Sequence, residues 1–282
     1  MSSNWFSFRD SDLILRSCTR HGETHDESET VDFNVHRAVL SAASPFFEAM
    51  LSLPQPSHDN DETTIPVIPF TETASILEIL LAYMYPVPDP IIETIDELVP
   101  ALEAARKFDL TVATDGLRRC LVDPVFLKSS PLRIYAIASR FELDEEASIA
   151  AKATLSIGLH SLPLHDDLKG MTAYAYHRLV LLHERRARDA IALLHIPDDV
   201  KCMQCNGRRE RMDAPPRWWA EWRERAREEL RLRPASEAVF SLGFLQQAAQ
   251  AGGCERCAGS ILASSWFFEE LRASMDALPM DL

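Results

Sequence analysis

Residues 31–50 read VDFNVHRAVLSAASPFFEAM, and their pattern changes period once. Val31, Phe33 and Val35 alternate with Asp32, Asn34 and His36, the spacing of a half-buried strand. From Val39 onward the apolar residues fall at helical spacing: Leu40, Ala43, Phe46, Phe47 and Met50. Ser44 stands where an N-cap is wanted, and Pro45 follows at the first helical position, where its missing N–H costs nothing. The stretch therefore predicts a strand, a short helix, and a second helix opened by Ser-Pro.

Upstream, Leu13, Ile14 and Leu15 form a short buried-strand candidate within 11–17, which can pair with 31–35 as a hairpin. The connection, 18–30, is long and acidic, and reads as a solvated insertion despite its His21, His25 and neighbouring acids. Residues 53–64 are a second polar loop. A strand is predicted at 65–68, short or at a sheet edge because Pro66 and Pro69 cannot donate to a ladder. Helices are predicted at 73–85, with Ile76, Ile79, Leu80 and Tyr83 on one face, and at 96–108 and 111–122.

The order Phe33, His36, Arg37, Leu40, Ser44, Phe47 resembles the core of a BTB/POZ domain, in which a strand runs through His-Lys/Arg into two short helices. Leu81, Tyr83 and Tyr85 resemble the close of the corresponding later helix, although Pro86-Val87-Pro88 replaces the Thr-Gly usual in the family. The resemblance implies an α+β fold over 11–123, a small sheet flanked by helices, preceded by an arm at 1–10. It implies homodimerisation and partner recruitment, not catalysis. The family's charged dimer-groove pair maps onto Asp12 and Arg37. Phe70-Thr71-Glu72 matches the apolar-x-Glu pattern of BTB domains that bind cullin-type ubiquitin-ligase scaffolds, or is simply a helix start. Trp5, Phe6 and Phe8 are apolar and need cover.

The remainder reads as helical. Ala105, Lys107, Phe108 and Leu110 recur 33 residues later as Ala138, Arg140, Phe141 and Leu143, so two helical hairpins with a Phe in each elbow are expected. The second hairpin, 131–155, either enlarges a scaffold-binding surface or merely caps the domain. A helical extension over 124–200 ends in a long helix at 172–194. Its His183-Glu184-Arg185-Arg186-Ala187 lacks the second histidine of a zinc protease motif.

Cys202-Met-Gln-Cys205 and Cys254-Glu-Arg-Cys257 bracket a subdomain placed at 201–275. Two such turns supply four thiolates, enough to close a structural zinc site. Unligated thiols or a redox pair are the other readings. The 48 residues between the pairs exceed the usual spacing of about 15–20. Helices at 217–232 and 236–250 would return the chain to its start, and a third would run from the second pair through Leu271. Trp218, Trp219, Trp222, Ala226 and Leu230 line one side of the first. Cys18 and Cys120 read as small core residues.

The net charge of −14 is concentrated early: residues 1–100 hold 17 acidic side chains against four Arg and no Lys. That argues against contact with a phosphate backbone there. Arginines of 217–232 alternate with Glu221, Glu224, Glu228 and Glu229, a solvated face more than a nucleic-acid stripe. No run of about 18 apolar residues predicts a membrane span, and the first residues lack a secretory pattern. The expectation is an intracellular protein, cytoplasmic or nuclear, that associates with itself and with an unidentified substrate protein, and, where the apolar-x-Glu match holds, with a cullin-type scaffold. A zinc-stabilised transcriptional regulator and a thiol–disulfide enzyme are the alternative classes.

Overall fold

The computed structural model describes residues 6–18, 30–53, 65–159, 163–206 and 214–282. The acidic loop with His21 and His25, most of the 53–64 loop, and Trp5 lie outside the described residues. The chain divides into two compact units, Met1–Asp123 and Pro124–Leu282.

In the first unit, β1 (Leu13–Cys18), β2 (Asp32–Val35) and β3 (Val67–Thr73) form a sheet of order β2-β1-β3. β1 and β2 are antiparallel, with Leu13 opposite Val35 and Leu15 opposite Phe33. Since side chains alternate across a strand, that register puts all four on one face, and all four are buried. On the other face Arg16 holds Asp32 with two hydrogen bonds, of 2.7 and 2.8 Å. These bonds lower the Asp32 carboxyl below its usual range. The arm is tied down: Phe6 is buried on Phe33 and Tyr85, and Ser7 bridges to Asn34.

β3 lies parallel to β1 at the sheet edge, as the prolines require, but it does not stop at Ile68. It continues through Pro69 to Thr73. An edge strand has one side without a ladder partner, so a residue lacking an N–H is tolerated there.

Helices α1 (Arg37–Ala43) and α2 (Pro45–Ser52) meet at Ser44. Its hydroxyl accepts from the Phe47 N–H at 3.2 Å and donates to the Phe108 carbonyl at 2.5 Å. One side chain thus caps α2 and ties it to a distant segment. Phe47, 2% exposed, packs against the rings of Phe70 and Phe108. Helix α3 (Ala74–Met84) buries Leu77, Ile79, Leu80, Leu81 and Ala82, whereas Ile76 and Tyr83 are half-buried. The expected face was displaced because α3 packs on several elements at once and is buried over most of its circumference.

Helices α4 (Ile95–Lys107) and α5 (Thr111–Leu121) are joined by the first repeated elbow. In the second unit α7 (Pro131–Arg140) and α8 (Asp144–Thr154), preceded by α6 (Pro124–Ser129), repeat it. The two elbows match bond for bond. Asp109 and Glu142 adopt positive φ, 50° and 58°. Leu110 donates to the Ala105 carbonyl and Leu143 to that of Ala138, each at 2.9 Å. Asp109 donates to Arg106, and Glu142 to Ser139. This is the Schellman pattern that closes a helix through a left-handed residue. Phe108 and Phe141 plug the elbows, each under a cation: Lys107 Nζ and Arg140 Cζ lie 4.8 and 4.9 Å from the ring centres. A left-handed non-glycine residue costs about 1–2 kcal/mol, partly offset by the extra chain entropy glycine loses. Glu142→Gly is therefore expected to be neutral or to raise the thermal midpoint by a few degrees, by calorimetry. A clear fall would show that the Glu142 side chain itself stabilises the turn.

The second unit continues with α9 (Ala173–Ala192), capped by Thr172, whose hydroxyl accepts from the Ala175 N–H. Then follow α10 (Arg217–Leu232), α11 (Leu242–Ala251), α12 (Cys257–Ala263) and α13 (Ser265–Asp276). α10 has the predicted bounds and buries the predicted side, with Trp219 stacked on Trp222 and Phe267 and Phe268 packed on the tryptophans. On its outer side Arg227 pairs with Glu224, and Glu229 with Arg233 just past the end of the helix.

The two helices expected after α10 are each broken. Residues 236–238 form one 3-10 turn, and α11 starts only after Ser241, whose hydroxyl accepts from the Phe244 N–H. The Val239 carbonyl is taken by the Trp222 indole N–H at 3.1 Å, so it is lost to a helical ladder. The last helix divides at Ser264, whose hydroxyl bonds back to the Ser260 carbonyl at 2.8 Å. Serine in that role competes with regular helix.

Candidate metal centre and candidate interface

The two Cys-x-x-Cys turns follow α9 and α11. α9 ends at Ala192, and Cys202 opens a tight turn through Asn206. Asn206 is 1% exposed and holds that turn: its Oδ1 accepts from the Cys202 N–H at 2.6 Å, and its Nδ2 donates to the Ala214 carbonyl at 3.0 Å. The second pair follows α11, where Gly253 takes φ +61° to reverse the chain. Gly252 lies against the start of α10, and a Cβ there would stand 3.1 Å from the Trp218 backbone nitrogen.

The four sulfurs converge. Cys202 and Cys254 Sγ are 3.7 Å apart, Cys205 and Cys257 Sγ 4.0 Å, and all four ligand atoms lie within 4.8 Å of one another. Bonds of about 2.3 Å to a tetrahedral ion imply sulfur–sulfur edges of about 3.8 Å, so the cluster is positioned to bind a metal. Cys202, Cys254 and Cys257 are buried and Cys205 is half-buried.

Backbone N–H groups face the sulfurs. The Arg217 N–H lies 3.5 Å from Cys205 Sγ, and the Trp218 N–H points at Cys257, so the positive start of the 16-residue α10 faces the sulfurs. Burial pushes the Cys205 and Cys257 thiols up, and these N–H bonds only partly oppose it. At Cys202 burial acts in the same sense but is outweighed by the N–H groups of Cys205 and Gln204, which leave the thiol below its usual value. A polar chain ties the halves together: the Trp218 indole donates to Ser260 Oγ, which donates to the Lys201 carbonyl.

The sequence identified the four sulfurs but not Asn206, Gly252 or the α10 amides. An asparagine directly after Cys-x-x-Cys was a readable signal for the first. Backbone amides carry no side-chain signature. Asn206→Ala would strand the Cys202 N–H and the Ala214 carbonyl, at about 1–3 kcal/mol for each buried unsatisfied group. The expected outcome is a lower thermal midpoint for the second unit, measured by calorimetry. An unchanged midpoint would show that Asn206 does not brace the turn.

Other candidates resolve differently. His183 is buried with Nε2 2.9 Å from Thr154 Oγ1, a core histidine. Cys120 is half-buried beside Tyr83, whose hydroxyl is pushed up to about 12, chiefly by burial.

In the first unit Asp12 accepts a 2.8 Å hydrogen bond from the backbone N–H of Arg37, at the start of α1. Within one chain Asp12 is exposed and Arg37 half-buried. The His36 N–H donates to the Tyr85 hydroxyl at 2.8 Å, joining the two halves of the motif. Phe70 is half-buried against Phe47 and Phe108. Glu72 is 9% exposed and paired to Lys107 at 2.7 Å, with Thr71 bonded to both.

A three-stranded sheet clasped by paired helices makes the first unit a small α+β domain. Residues 24–123 match the family model of the BTB/POZ domain, and the match stops at Asp123, where the first compact unit ends. The chain thus carries a BTB/POZ domain, a protein-interaction and oligomerisation module. No curated protein matches the chain. Among the described residues no helix is long and apolar enough to cross a membrane.

Proposed function

We propose that the chain is a homodimeric BTB adaptor whose second unit is held together by one structural zinc ion. The observation that carries the zinc reading is the convergence of four sulfurs at near-tetrahedral spacing, with amides directed at them. Cys202, Cys205, Cys254 and Cys257 would each ligate as thiolate. The ion would supply a crosslink between the turn after α9 and the turn after α11, and no reaction. A closed set of four protein ligands leaves no position for substrate. The thiol–disulfide reading is weaker, because three of the four sulfurs are buried and reactive cysteines need access.

Homodimerisation is supported by the BTB/POZ match, and Asp12 and Arg37 are the residues we assign to its interface. Light scattering of the full chain at tens of micromolar, a concentration suited to moderate affinity, should give twice the chain's 31.8 kDa. A strict monomer would remove this reading.

The recruiting role is that of an adaptor for a cullin-type ubiquitin-ligase scaffold, with Phe70 and Glu72 in the contact, residues 124–200 as helical extension, and a substrate protein bound elsewhere. Phe70 is partly accessible, whereas Glu72 would have to exchange Lys107 for the scaffold. Purified cullin-type scaffold should be retained by the immobilised full chain and lost with Phe70→Asp, while light scattering still finds a dimer. No retention of the scaffold by the unaltered chain would remove the adaptor role and leave the dimer. A DNA-binding regulator gains nothing from α10, whose tryptophans are core and whose arginines alternate with glutamates.

A further inference from the structure

The chain's last residues lie along α9 and are held by arginines. Arg186 Nη1 donates to the Leu278 backbone oxygen at 2.7 Å, Arg185 Nη2 to that of Asp281 at 2.7 Å, and Arg178 Nη2 to that of Leu282 at 3.1 Å. The segment therefore runs antiparallel to the helix. Eight helical residues from Arg178 to Arg186 span about 12 Å, and four extended residues from Leu278 to Leu282 span about 13 Å. Leu278, Met280 and Leu282 are half-buried while Pro279 and Asp281 are exposed, the alternation of an extended segment with one face down.

Two features mark this segment as a replaceable occupant. First, Arg186 and Arg185 bind the peptide carbonyls of Leu278 and Asp281, acceptors that any extended peptide offers. The downward side chains are only half covered, which places the strap among the less stable parts of a fold. Second, Arg186 is 4% exposed, and its Nε has no hydrogen-bond partner among the described residues. Asp276 and Asp189 influence it only from a distance, and Asp276 instead faces Arg272 at 3.9 Å. A buried guanidinium that is offered a carbonyl and no close carboxylate is an incompletely filled site.

We propose that the α9 face carrying Arg178, Arg185 and Arg186 is a docking groove for an extended partner segment. That segment would have apolar residues at alternate positions and a carboxylate at the Arg186 end, and residues 277–282 occupy the groove in cis until it is displaced. This inference concerns the second unit alone and is independent of both dimerisation and zinc.

The test uses a labelled heptapeptide of the sequence from Asp276 to Leu282, in which the aspartate is free of α13. Its binding is followed by fluorescence anisotropy. A tethered strap competes at a millimolar effective concentration. The peptide should therefore bind a chain lacking residues 277–282 at least about tenfold tighter than the full chain. It should weaken several-fold with Asn in place of Asp276, and lose binding when the deleted chain also carries Arg178→Ala and Arg185→Ala. Equal binding to full and deleted chains, or none to a deleted chain that keeps its thermal transition, would overturn the proposal. Should the deletion unfold the unit, limited proteolysis of the full chain with Arg178→Ala and Arg185→Ala decides. Residues 277–282 should be cleaved off at least about tenfold faster while the unit keeps its thermal transition. An unchanged rate of cleavage would overturn the proposal.

Discussion

Chelating the proposed zinc ion is expected to melt the second unit and to leave the first folded. The four cysteines are carried on two turns 48 residues apart in sequence, beside the packing of α10 against α11 and α12, so an ion bound by all four would brace that packing. Apparent binding energies of structural zinc are about 10–16 kcal/mol in small zinc domains, as large as the whole stability of a domain, about 5–15 kcal/mol. The tryptophan core is contiguous with the site, since Cys202, Cys254 and Cys257 belong to the same buried cluster as Trp218, Trp219 and Trp222. Losing the ion should therefore cost the unit its cooperative transition. Tryptophan fluorescence during titration with a strong chelator should report the loss, while hydrogen exchange in α3 and α4 stays slow. Cys205→Ser should reproduce it in part, by lowering metal occupancy. Acidification should act in the same direction, because the ligands bind as thiolates and protonation competes with the ion. A thermal transition indifferent to chelator would return the four cysteines to ordinary thiols.

Phe47→Ala is expected to unfold the first unit. Phe47 is 2% exposed and touches the rings of Phe46, Phe70 and Phe108, which come from three separate parts of the unit. Truncating a buried Phe costs about 3–5 kcal/mol, a large share of the stability a domain of this size has. The same residue receives the Ser44 cap through its N–H, so the helix start and the core weaken together. Circular dichroism should show lost helix, and hydrogen exchange should place that loss in 6–123. An unchanged midpoint would exclude Phe47 from the core.

The parts of the fold readable in the sequence were those decided by local chemistry. Ser44-Pro45 marked a helix start because a hydroxyl and a missing N–H act within one turn. Trp218, Trp219, Trp222, Ala226 and Leu230 marked the buried side of α10 because spacing alone puts them there. The repeat marked both elbows, although not that Asp109 and Glu142 would be left-handed. Features set by distant partners were not readable. β3 passes Pro69 because it is an edge, which depends on β1. The break before α11 depends on an indole N–H from α10 taking the Val239 carbonyl. α3 looked amphipathic, but its surroundings cover it broadly. At the cysteine cluster the four sulfurs were legible, whereas the α10 amides that face them were not. The arginine stripe of α9 was equally hidden, since its acceptors are backbone oxygens about 90 to 100 residues away, beyond any local rule.

Native mass spectrometry of the full chain, purified without chelator, tests the central claim most directly. It reads assembly and metal content in one spectrum. The account predicts a species of two chains carrying two zinc ions, and two chains without metal after chelation. A single chain free of zinc, before any chelator is added, would contradict it.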